Sequence, residues 1–250
     1  MNSTSAPSVK NGEIGQKAMK GTSTGKAVPE ECIFLFDVDN TLIDNDRVSE
    51  DLKSYLKRVI GPDQEARYWA IFEQLRSELG YADYLGALQR YRVEYPRDLH
   101  VLAASEFLIN YSFADRLYPK AIQVLEAANR WGQVVILSDG DVVFQPHKIR
   151  RSGIFDVVKG NVLIYVHKEH ELEHVKQLYP ADRYILVDDK LRILTAVKKI
   201  WGSQVTTVFP EQGHYAHDPK IRAEYPAADQ TVSRIGDLLN DLAEMKSFAS

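Results

Sequence analysis

The amino-acid sequence predicts an α/β fold in which a doubly wound parallel sheet carries an all-helical insertion after its first strand. Five short runs are apolar on consecutive residues, which suits strands covered on both faces. Helical patterns separate the later runs, as in alternating strand–helix proteins. Residues 45–117 break this alternation, because they contain helical patterns and no strand signal.

The five apolar runs predict the strands of the sheet in chain order. Helices are predicted between the later strands, over residues 119–132, 143–153, 168–179 and 190–202, and an amphipathic helix is predicted to close the chain over 228–245. The predicted strands are "CIFLF" (32–36), "QVVILS" (133–138), "VLIYV" (162–166), "YILVD" (184–188) and "QVTTVF" (204–209).

Four helical patterns fill the insertion, over residues 48–61, 66–80, 81–95 and 99–113. Residues 1–29 are rich in Ser, Thr, Gly and Lys and lack the apolar block of a signal peptide, so a flexible tail is expected there. The predicted division is therefore a tail at 1–29, a core domain at 30–44 and 118–250, and a helical cap domain at 45–117.

Composition narrows the expected partners and compartment. The chain has 250 residues, of which 44% are hydrophobic and 26% charged, and these values are ordinary for a globular protein. A net charge of -4 predicts no nucleic-acid partner, and no apolar run is long enough to predict a membrane span. The single cysteine, Cys32, fits a reducing compartment, so a cytoplasmic protein is expected, as a monomer or homodimer.

Polar residues follow the predicted strands where those strands end. Ligands of doubly wound sheets bind outside the carboxyl ends of the strands, so these side chains are expected at one rim. Carboxylate oxygens suit Mg²⁺, and a bound cation would offset the repulsion between neighbouring acids. The residues concerned are Asp37 and Asp39 after the first strand, Ser138 and Asp139 at the second, Lys168 after the third, and Asp188 and Asp189 at the fourth.

Three short motifs carry a resemblance to a known family. "FDVDNTL" (36–42) resembles the DxDxT signature of the haloacid-dehalogenase-like hydrolase superfamily, in its phosphatase branch. "VILSDGD" (135–141) and "VDDKLRIL" (187–194) resemble that family's second and fourth motifs. The resemblance implies a Rossmann-like core with strand order 3-2-1-4-5 and places the helical block as a cap between motifs one and two.

The resemblance also implies roles for the acids. Asp37 is similar to the nucleophile that becomes an aspartyl phosphate. Asp39 resembles the general acid and base, and its backbone carbonyl resembles a metal ligand. Asp189 aligns with the acid that binds Mg²⁺ directly, together with Asp37, while Asp188 is expected beside it, although the reverse assignment of Asp188 and Asp189 stays open.

The phosphate contacts are implied in the same way. Ser138 would hydrogen-bond a transferring-phosphoryl oxygen, with Asp139 beside it, and Lys168 would supply a positive charge. Lys168 is followed by Glu169 where the family often has proline, so Lys148 is a competing candidate for the third-motif lysine.

The expected function is that of a Mg²⁺-dependent phosphohydrolase acting on a small phosphorylated metabolite. An acid at Asp39 favours phosphate esters over haloacids, because a halide leaves without a proton. A phosphomutase and a phospho-ligand-binding module without turnover are the alternatives. "HELEH" (170–174) also matches a zinc-protease pattern through His170, Glu171 and His174, but its polar surroundings favour a solvated helix face.

Two further segments are candidates for substrate contact. His214, Tyr215 and His217 follow the fifth strand, where they could touch substrate or form an ordinary surface loop. In the insertion, aromatic and cationic residues alternate, which fits either an anion-binding surface or a buried aromatic stripe with solvated arginines. These residues are Tyr84, Tyr91, Tyr95, Arg90 and Arg92.

Overall fold

A computed structural model describes residues 30–245, so the predicted N-terminal tail lies outside the described residues. The strands form one sheet in which every neighbouring pair is parallel, in the order β3-β2-β1-β4-β5-β6. The predicted order of the first five strands is confirmed, and β6 extends it at one edge. The strands are β1 (Glu30–Phe36), β2 (Gln133–Asp139), β3 (Val162–Tyr165), β4 (Ala181–Val187), β5 (Val205–Pro210) and β6 (Gln230–Val232).

The sheet is buried on both faces, which explains why its strands are apolar on consecutive residues. Along β1, Phe34 and Phe36 belong to one hydrophobic cluster, whereas Ile33 and Leu35 belong to a second cluster on the opposite face. This alternation within a continuous apolar run confirms the α/β, Rossmann-like fold that the sequence predicts.

Four α-helices occupy residues 45–109, within the predicted insertion. Asp44 caps the first of them by accepting a hydrogen bond from the Arg47 backbone N–H, at 2.9 Å. The second begins at Pro62 and ends at Leu79, and the capping residue Gly80 has a φ of 81°, the left-handed conformation that glycine adopts easily. These helices are α1 (Asn45–Val59), α2 (Pro62–Leu79), α3 (Tyr84–Glu94) and α4 (His100–Ile109).

The remaining helices follow the insertion along the chain. Most of them cover the sheet, and α9 in particular buries Leu194 and Val197 against the cluster that contains Ile33 and Leu35. They are α5 (Ala121–Ala128), α6 (Phe144–Arg151), α7 (Ile154–Val157), α8 (Leu172–Leu178), α9 (Leu191–Trp201), α10 (Gly213–His217), α11 (Pro219–Glu224) and α12 (Leu238–Met245).

The predicted closing helix over 228–245 is wrong in its first half. Residues Gln230–Val232 form β6, which pairs with the edge of β5, and a 3-10 turn at Ile235–Asp237 precedes α12. An open sheet edge offers backbone partners to a short segment with β-branched residues, and that pairing outweighs the helical pattern.

The helical insertion packs against the sheet through a shared core. Leu52, Tyr68 and Leu108 of the insertion belong to the same hydrophobic cluster as Phe36 of β1. The ring of Tyr84 meets that of Phe144 in α6 at a centroid distance of 5.8 Å. Within residues 30–245, no helix is both long and apolar enough to cross a membrane.

Candidate active site

Strand register brings two aspartates together at the carboxyl end of the sheet. Phe36 of β1 pairs with Val187 of β4, so the residues that follow them, Asp37 and Asp188, lie side by side. The Asp37 N–H donates to the Val187 carbonyl at 2.9 Å, which extends the ladder by one residue. One carboxylate oxygen each from Asp37, Asp188 and Asp189 lies within 4.8 Å of the others. The pairing of β1 with β4 therefore brings three buried acids together.

A tight turn after Asp37 helps to hold Asp189. The Val38 carbonyl accepts hydrogen bonds from the Leu42 and Ile43 backbone N–H groups, both at 2.9 Å. Asn40 takes the left-handed conformation, with φ of 59°, which asparagine tolerates better than most residues. The turn carries the Thr41 hydroxyl to the Asp189 backbone N–H, which donates to it at 3.0 Å.

Lys168 supplies the cation of this group. It lies in a 3-10 turn at Lys168–His170, and its Nζ is 2.5 Å from Asp37 Oδ1 and 2.6 Å from Asp188 Oδ2. Burial alone would lower the pKa of Lys168, but Asp188 and Asp37 raise that pKa well above its ordinary value. Lys168 is therefore a permanent positive charge. We call Asp37, Lys168, Asp188 and Asp189 the sheet-edge cluster, where the edge meant is the one formed by the carboxyl ends of the strands.

Lys168 and the nearby Lys190 do not fully offset the burial of three acids. Burial raises the pKa of Asp188 to about 6, although Lys168 opposes the shift, and burial also raises the pKa of Asp189 well above its ordinary value. Among the described residues, Asp37 Oδ2 and both carboxylate oxygens of Asp189 have no hydrogen-bond partner. Buried oxygens without partners are costly, and hard carboxylate oxygens are the ligands that Mg²⁺ prefers. The sheet-edge cluster therefore fits a divalent cation.

Asp39 lies apart from the three-acid group. Its Oδ1 accepts a hydrogen bond from the buried Nζ of Lys148 at 2.6 Å, and the same Nζ donates to Asn45 Oδ1 at 3.0 Å. Of the four acids predicted to bind metal, three carboxylates thus come together, and the Asp39 side chain is held elsewhere. The two candidate lysines also separate: Lys168 contacts Asp37, whereas Lys148 contacts Asp39.

Ser138 and Asp139 end β2 next to Lys168. The Ser138 hydroxyl is buried, accepts a hydrogen bond from Gln145 Nε2 at 2.9 Å and donates to the Asp139 carbonyl at 3.3 Å. Asp139 Oδ1 accepts from the Lys168 backbone N–H at 2.8 Å. Burial raises the pKa of the Asp139 carboxyl, with Lys168 opposing the shift.

A cavity of about 640 Å³ lies beside these groups and is lined by both the sheet edge and the insertion. This volume suits a small metabolite. Asp39, Asp139 and Asp189 reach it, and so do Arg76 and Lys190, which the sequence analysis did not select. Other lining residues include Asn45, Asp46, Ser49, Trp69, Phe72, Glu73, Tyr84, Arg192, His214, Tyr215, Glu224 and Tyr225.

Comparison with protein families identifies the family of the chain and the hydrolase class to which that family belongs. The sequence model of the haloacid dehalogenase-like hydrolases, described as hydrolases, matches residues 33–200, which is more than half of the chain. The chain belongs to this family. The comparison with curated proteins gives no match.

Solved structures of haloacid dehalogenase-like hydrolases agree with the fold. One such protein from Burkholderia xenovorans LB400 is 61% identical over 84% of this chain and 98% of its own, with a TM-score of 0.82. An L-2-haloacid dehalogenase from Xanthobacter autotrophicus is 16% identical over 85% and 98%, with a TM-score of 0.58. A magnesium-bound hydrolase from Bacillus subtilis is 15% identical over 84% and 97%, with a TM-score of 0.57. The last two show the fold alone.

The zinc-protease pattern of this hydrolase does not form a metal site. His170 ends the 3-10 turn, whereas His174 lies in α8, where its Nδ1 is 2.9 Å from the Tyr165 hydroxyl. In the part of the chain that the structure describes, the three-acid group is the one set of His, Cys, Asp or Glu side chains placed to share a metal. His170, Glu171 and His174 are exposed, which agrees with the expected solvated helix face rather than with zinc ligands.

The aromatic residues of the insertion are mainly core. Tyr84 and Tyr91 are buried, and only Tyr84 of this set lines the cavity. Arg90 pairs with Glu78 at 2.5 Å on the exposed surface. The cation that this part of the insertion presents to the cavity is instead Arg76 of α2. It lies in an ordinary amphipathic helical pattern, which does not indicate a ligand contact. Lys190 could have been selected, because it directly follows the acid pair.

Proposed function

We propose that this hydrolase is a Mg²⁺-dependent phosphatase that cleaves a small phosphorylated metabolite through an aspartyl phosphate at Asp37. The supporting observation is the sheet-edge cluster, in which Asp37 and Asp189 keep buried oxygens that have no hydrogen-bond partner within residues 30–245, beside a fixed lysine. Asp39 adds a carboxyl group on the cavity wall, which ester cleavage needs and halide release does not.

The cation would be held by Asp37, Asp188 and Asp189, with the Asp39 backbone carbonyl as a further proposed ligand. When bound, Mg²⁺ supplies positive charge that lets a carboxylate approach a phosphate dianion. Asp189 is the better candidate for direct contact, because both of its carboxylate oxygens lack partners among the described residues, whereas Asp188 Oδ2 already lies 2.6 Å from Lys168 Nζ.

Asp37 is the proposed nucleophile. Its carboxylate attacks phosphorus, a new P–O bond forms to Asp37, and the bond from phosphorus to the leaving oxygen breaks. Lys168 orients the carboxylate through the 2.5 Å contact to Oδ1 and offsets negative charge on the transferring group. The Ser138 hydroxyl would turn from the Asp139 carbonyl to donate to a phosphoryl oxygen, while Asp139 keeps the turn at Lys168 in place.

Asp39 is the proposed proton carrier in both half-reactions. In the first it gives its proton to the leaving oxygen, which departs as an alcohol. In the second it takes a proton from the water that attacks the aspartyl phosphate, so that inorganic phosphate leaves and Asp37 is restored. Lys148 Nζ donates to this carboxyl at 2.6 Å and is itself held by a second bond to Asn45 Oδ1 at 3.0 Å, which limits the rotation of the carboxyl.

The helical insertion is proposed as a cap that limits water at the cavity. It meets the core loop after β5 at two places: Arg76 Nη2 donates to the Tyr215 hydroxyl, and His214 Nδ1 lies 2.7 Å from Asp46 Oδ1. The other expectations from the sequence remain predictions, namely a small phosphorylated substrate, no nucleic-acid or membrane partner, a cytoplasmic location and a monomer or homodimer.

Phosphate release from a panel of small phosphate esters tests the proposal. We expect release that requires Mg²⁺, stops on adding EDTA, and falls at least about 10³-fold in Asp37→Asn, because an amide is not a nucleophile for phosphorus. Equal rates for Asp37→Asn and the unchanged protein would refute the nucleophile assignment.

Three other outcomes identify the alternatives. Chloride release from 2-chloropropionate without phosphatase activity would identify a haloacid dehalogenase. Transfer of labelled phosphate within a sugar phosphate, without free phosphate, would identify a phosphomutase. Tight binding of phosphate esters without either product would identify a binding module.

A further inference from the structure

One part of the cavity carries positive side chains that the proposed chemistry does not use. Arg76 of α2 and Lys190, which precedes α9, both contact Tyr215 of α10. We propose that Arg76, Lys190 and Tyr215 form an anion subsite that binds a carboxylate on the leaving-group part of the substrate. This inference rests on the proposed function and extends it to a substrate class, the phosphate esters of small hydroxy acids.

Arg76 has donors to spare. Its Nη2 donates to the Tyr215 hydroxyl, and its Nη1 is 3.4 Å from Glu73 Oε1, one helical turn away. The Glu73 side chain is 61% exposed, so water competes for it and the ion pair is weak. A guanidinium can bind both oxygens of a carboxylate, and a substrate carboxylate can displace this loose Glu73 contact.

Lys190 is a cationic side chain on the cavity wall. Among the described residues, no carboxylate lies within 4.0 Å of its Nζ, whereas the buried lysines Lys148 and Lys168 each have a carboxylate partner at 2.6 or 2.5 Å. Its Nζ lies 5.6 Å from the centre of the Tyr215 ring.

Tyr215 links the two cations and is held in place from both sides. Its hydroxyl accepts the Arg76 hydrogen bond, so its own proton is available to a ligand. Gly213 brings the loop against Asn40, where any side chain at position 213 would come within 2.6 Å of the Asn40 Cβ. The next residue, His214, donates its backbone N–H to Asp46 Oδ2 at 2.7 Å. The subsite is therefore preorganised.

The acidic side chains at the cavity do not all repel an anionic ligand to the same extent. Asp39 is paired with Lys148, and Asp46 with His214. Asp189 belongs to the group that fits a cation. Glu73, Asp139 and Glu224 remain as acids on the wall, of which Glu73 is already engaged with Arg76 and Asp139 accepts a hydrogen bond from the Lys168 backbone N–H. The free positive charge is thus concentrated around Tyr215.

A matched pair of substrates tests the subsite. 3-Phosphoglycerate and glycerol 3-phosphate differ in one position, where a carboxylate replaces a hydroxymethyl group. We expect kcat/KM with Mg²⁺ to favour 3-phosphoglycerate about tenfold or more in the unchanged protein, the gain of one charge-assisted contact. Arg76→Gln should abolish most of that preference, mainly through KM, and Tyr215→Phe should reduce it.

Arg90→Gln is the control, because Arg90 pairs with Glu78 on the exposed surface of the same insertion and does not line the cavity. It should keep the full preference for 3-phosphoglycerate. Phosphate release from both esters with equal kcat/KM, unaffected by Arg76→Gln, would overturn the subsite and leave the phosphatase proposal standing.

Binding to Asp37→Asn separates the two proposals when turnover is absent. Titration calorimetry with Mg²⁺ should give a Kd about tenfold lower for 3-phosphoglycerate than for glycerol 3-phosphate, and Arg76→Gln in that background should equalise the two. Equal affinities before that change would overturn the subsite, whatever the activity of the unchanged protein.

Discussion

The sheet-edge cluster and the anion subsite are built in different ways at one cavity. Asp37, Lys168 and Asp188 are at most 3% exposed in their side chains, and strand register fixes the separation of Asp37 and Asp188. The Arg76 side chain is 35% exposed, and its place depends on how α2 packs against the loop after β5. The family's chemistry thus rests on backbone ladders, while contacts to the rest of the substrate rest on packing between elements, which can vary without disturbing the ladder.

Substituting the two buried lysines is the strongest test of this difference between the sheet edge and the cavity wall. Lys168→Met leaves Asp37 and Asp188 buried without their cation, so we expect a loss of about 3–5 kcal/mol in the free energy of unfolding without metal. Lys148→Met leaves only Asp39, which is 22% exposed and can reach water, so about 1–3 kcal/mol is expected. Urea unfolding of both variants in EDTA measures the difference. Equal losses would show that the sheet edge is not specially dependent on its lysine.

Asp39→Asn tests the proton carrier on the cavity side. Release of glycerol from glycerol 3-phosphate should fall about 10²–10⁴-fold, because an alkoxide needs a proton to leave. p-Nitrophenol leaves without one, so p-nitrophenyl phosphate should give a burst of product close to the enzyme concentration, followed by slow turnover. Rapid-mixing absorbance records the burst. A uniform loss on both esters, without a burst, would contradict the role of Asp39.

Metal binding should stabilise the protein more at high pH than at low pH. The pKa of Asp188 is raised from its ordinary value of 3.8 to about 6, and that of Asp189 is raised too, so the folded protein without metal holds more protons than the unfolded chain between about pH 4 and 6. Its stability therefore falls as pH rises through that window.

A divalent cation binds the deprotonated acids and reverses this loss. Thermal unfolding at pH 5 and pH 8, each with EDTA or Mg²⁺, should show a gain in Tm of several degrees at pH 8 and a smaller one at pH 5. The same gain at both pH values would mean that Mg²⁺ binds elsewhere.

Tyr84→Phe should have the smallest effect on stability. It tests whether contacts in the insertion are less important for stability than those at the sheet edge. The Tyr84 hydroxyl is 2.7 Å from Ser49 Oγ and 3.3 Å from Asn45 Nδ2, and Ser49 keeps its bond to the Asn45 carbonyl at 3.0 Å when the hydroxyl is removed. About 0.5–1.5 kcal/mol of stability should be lost in urea unfolding. A loss as large as that of Lys168→Met would show that the insertion is as tightly specified as the sheet edge.

The part of the site that follows strands could be predicted from the sequence. Asp37, Ser138 and Asp188 stand at the ends of apolar runs, and parallel pairing places such ends at one edge. β6 escaped prediction because three residues form a strand only when an open edge accepts them.

The cavity wall could not be predicted in the same way. Arg76 lies in a helix whose pattern shows which face is buried but not what that face meets, and only the packing of α2 against the β5 loop brings it to Tyr215. The pairing of Lys148 with Asp39 joins residues 109 positions apart, through α6. Both contacts depend on tertiary packing, which the periodicity of a single sequence does not encode.

The proposed attack by Asp37 on phosphorus is tested most directly by a crystal structure with Mg²⁺ and beryllofluoride, which mimics a phosphoryl group on a carboxylate. We expect beryllofluoride bonded to the Asp37 carboxylate, Mg²⁺ held between Asp37 and Asp189, and Lys168 Nζ beside the mimic. Beryllofluoride bound to another residue, or a sheet edge without either group at saturating concentrations, would contradict it.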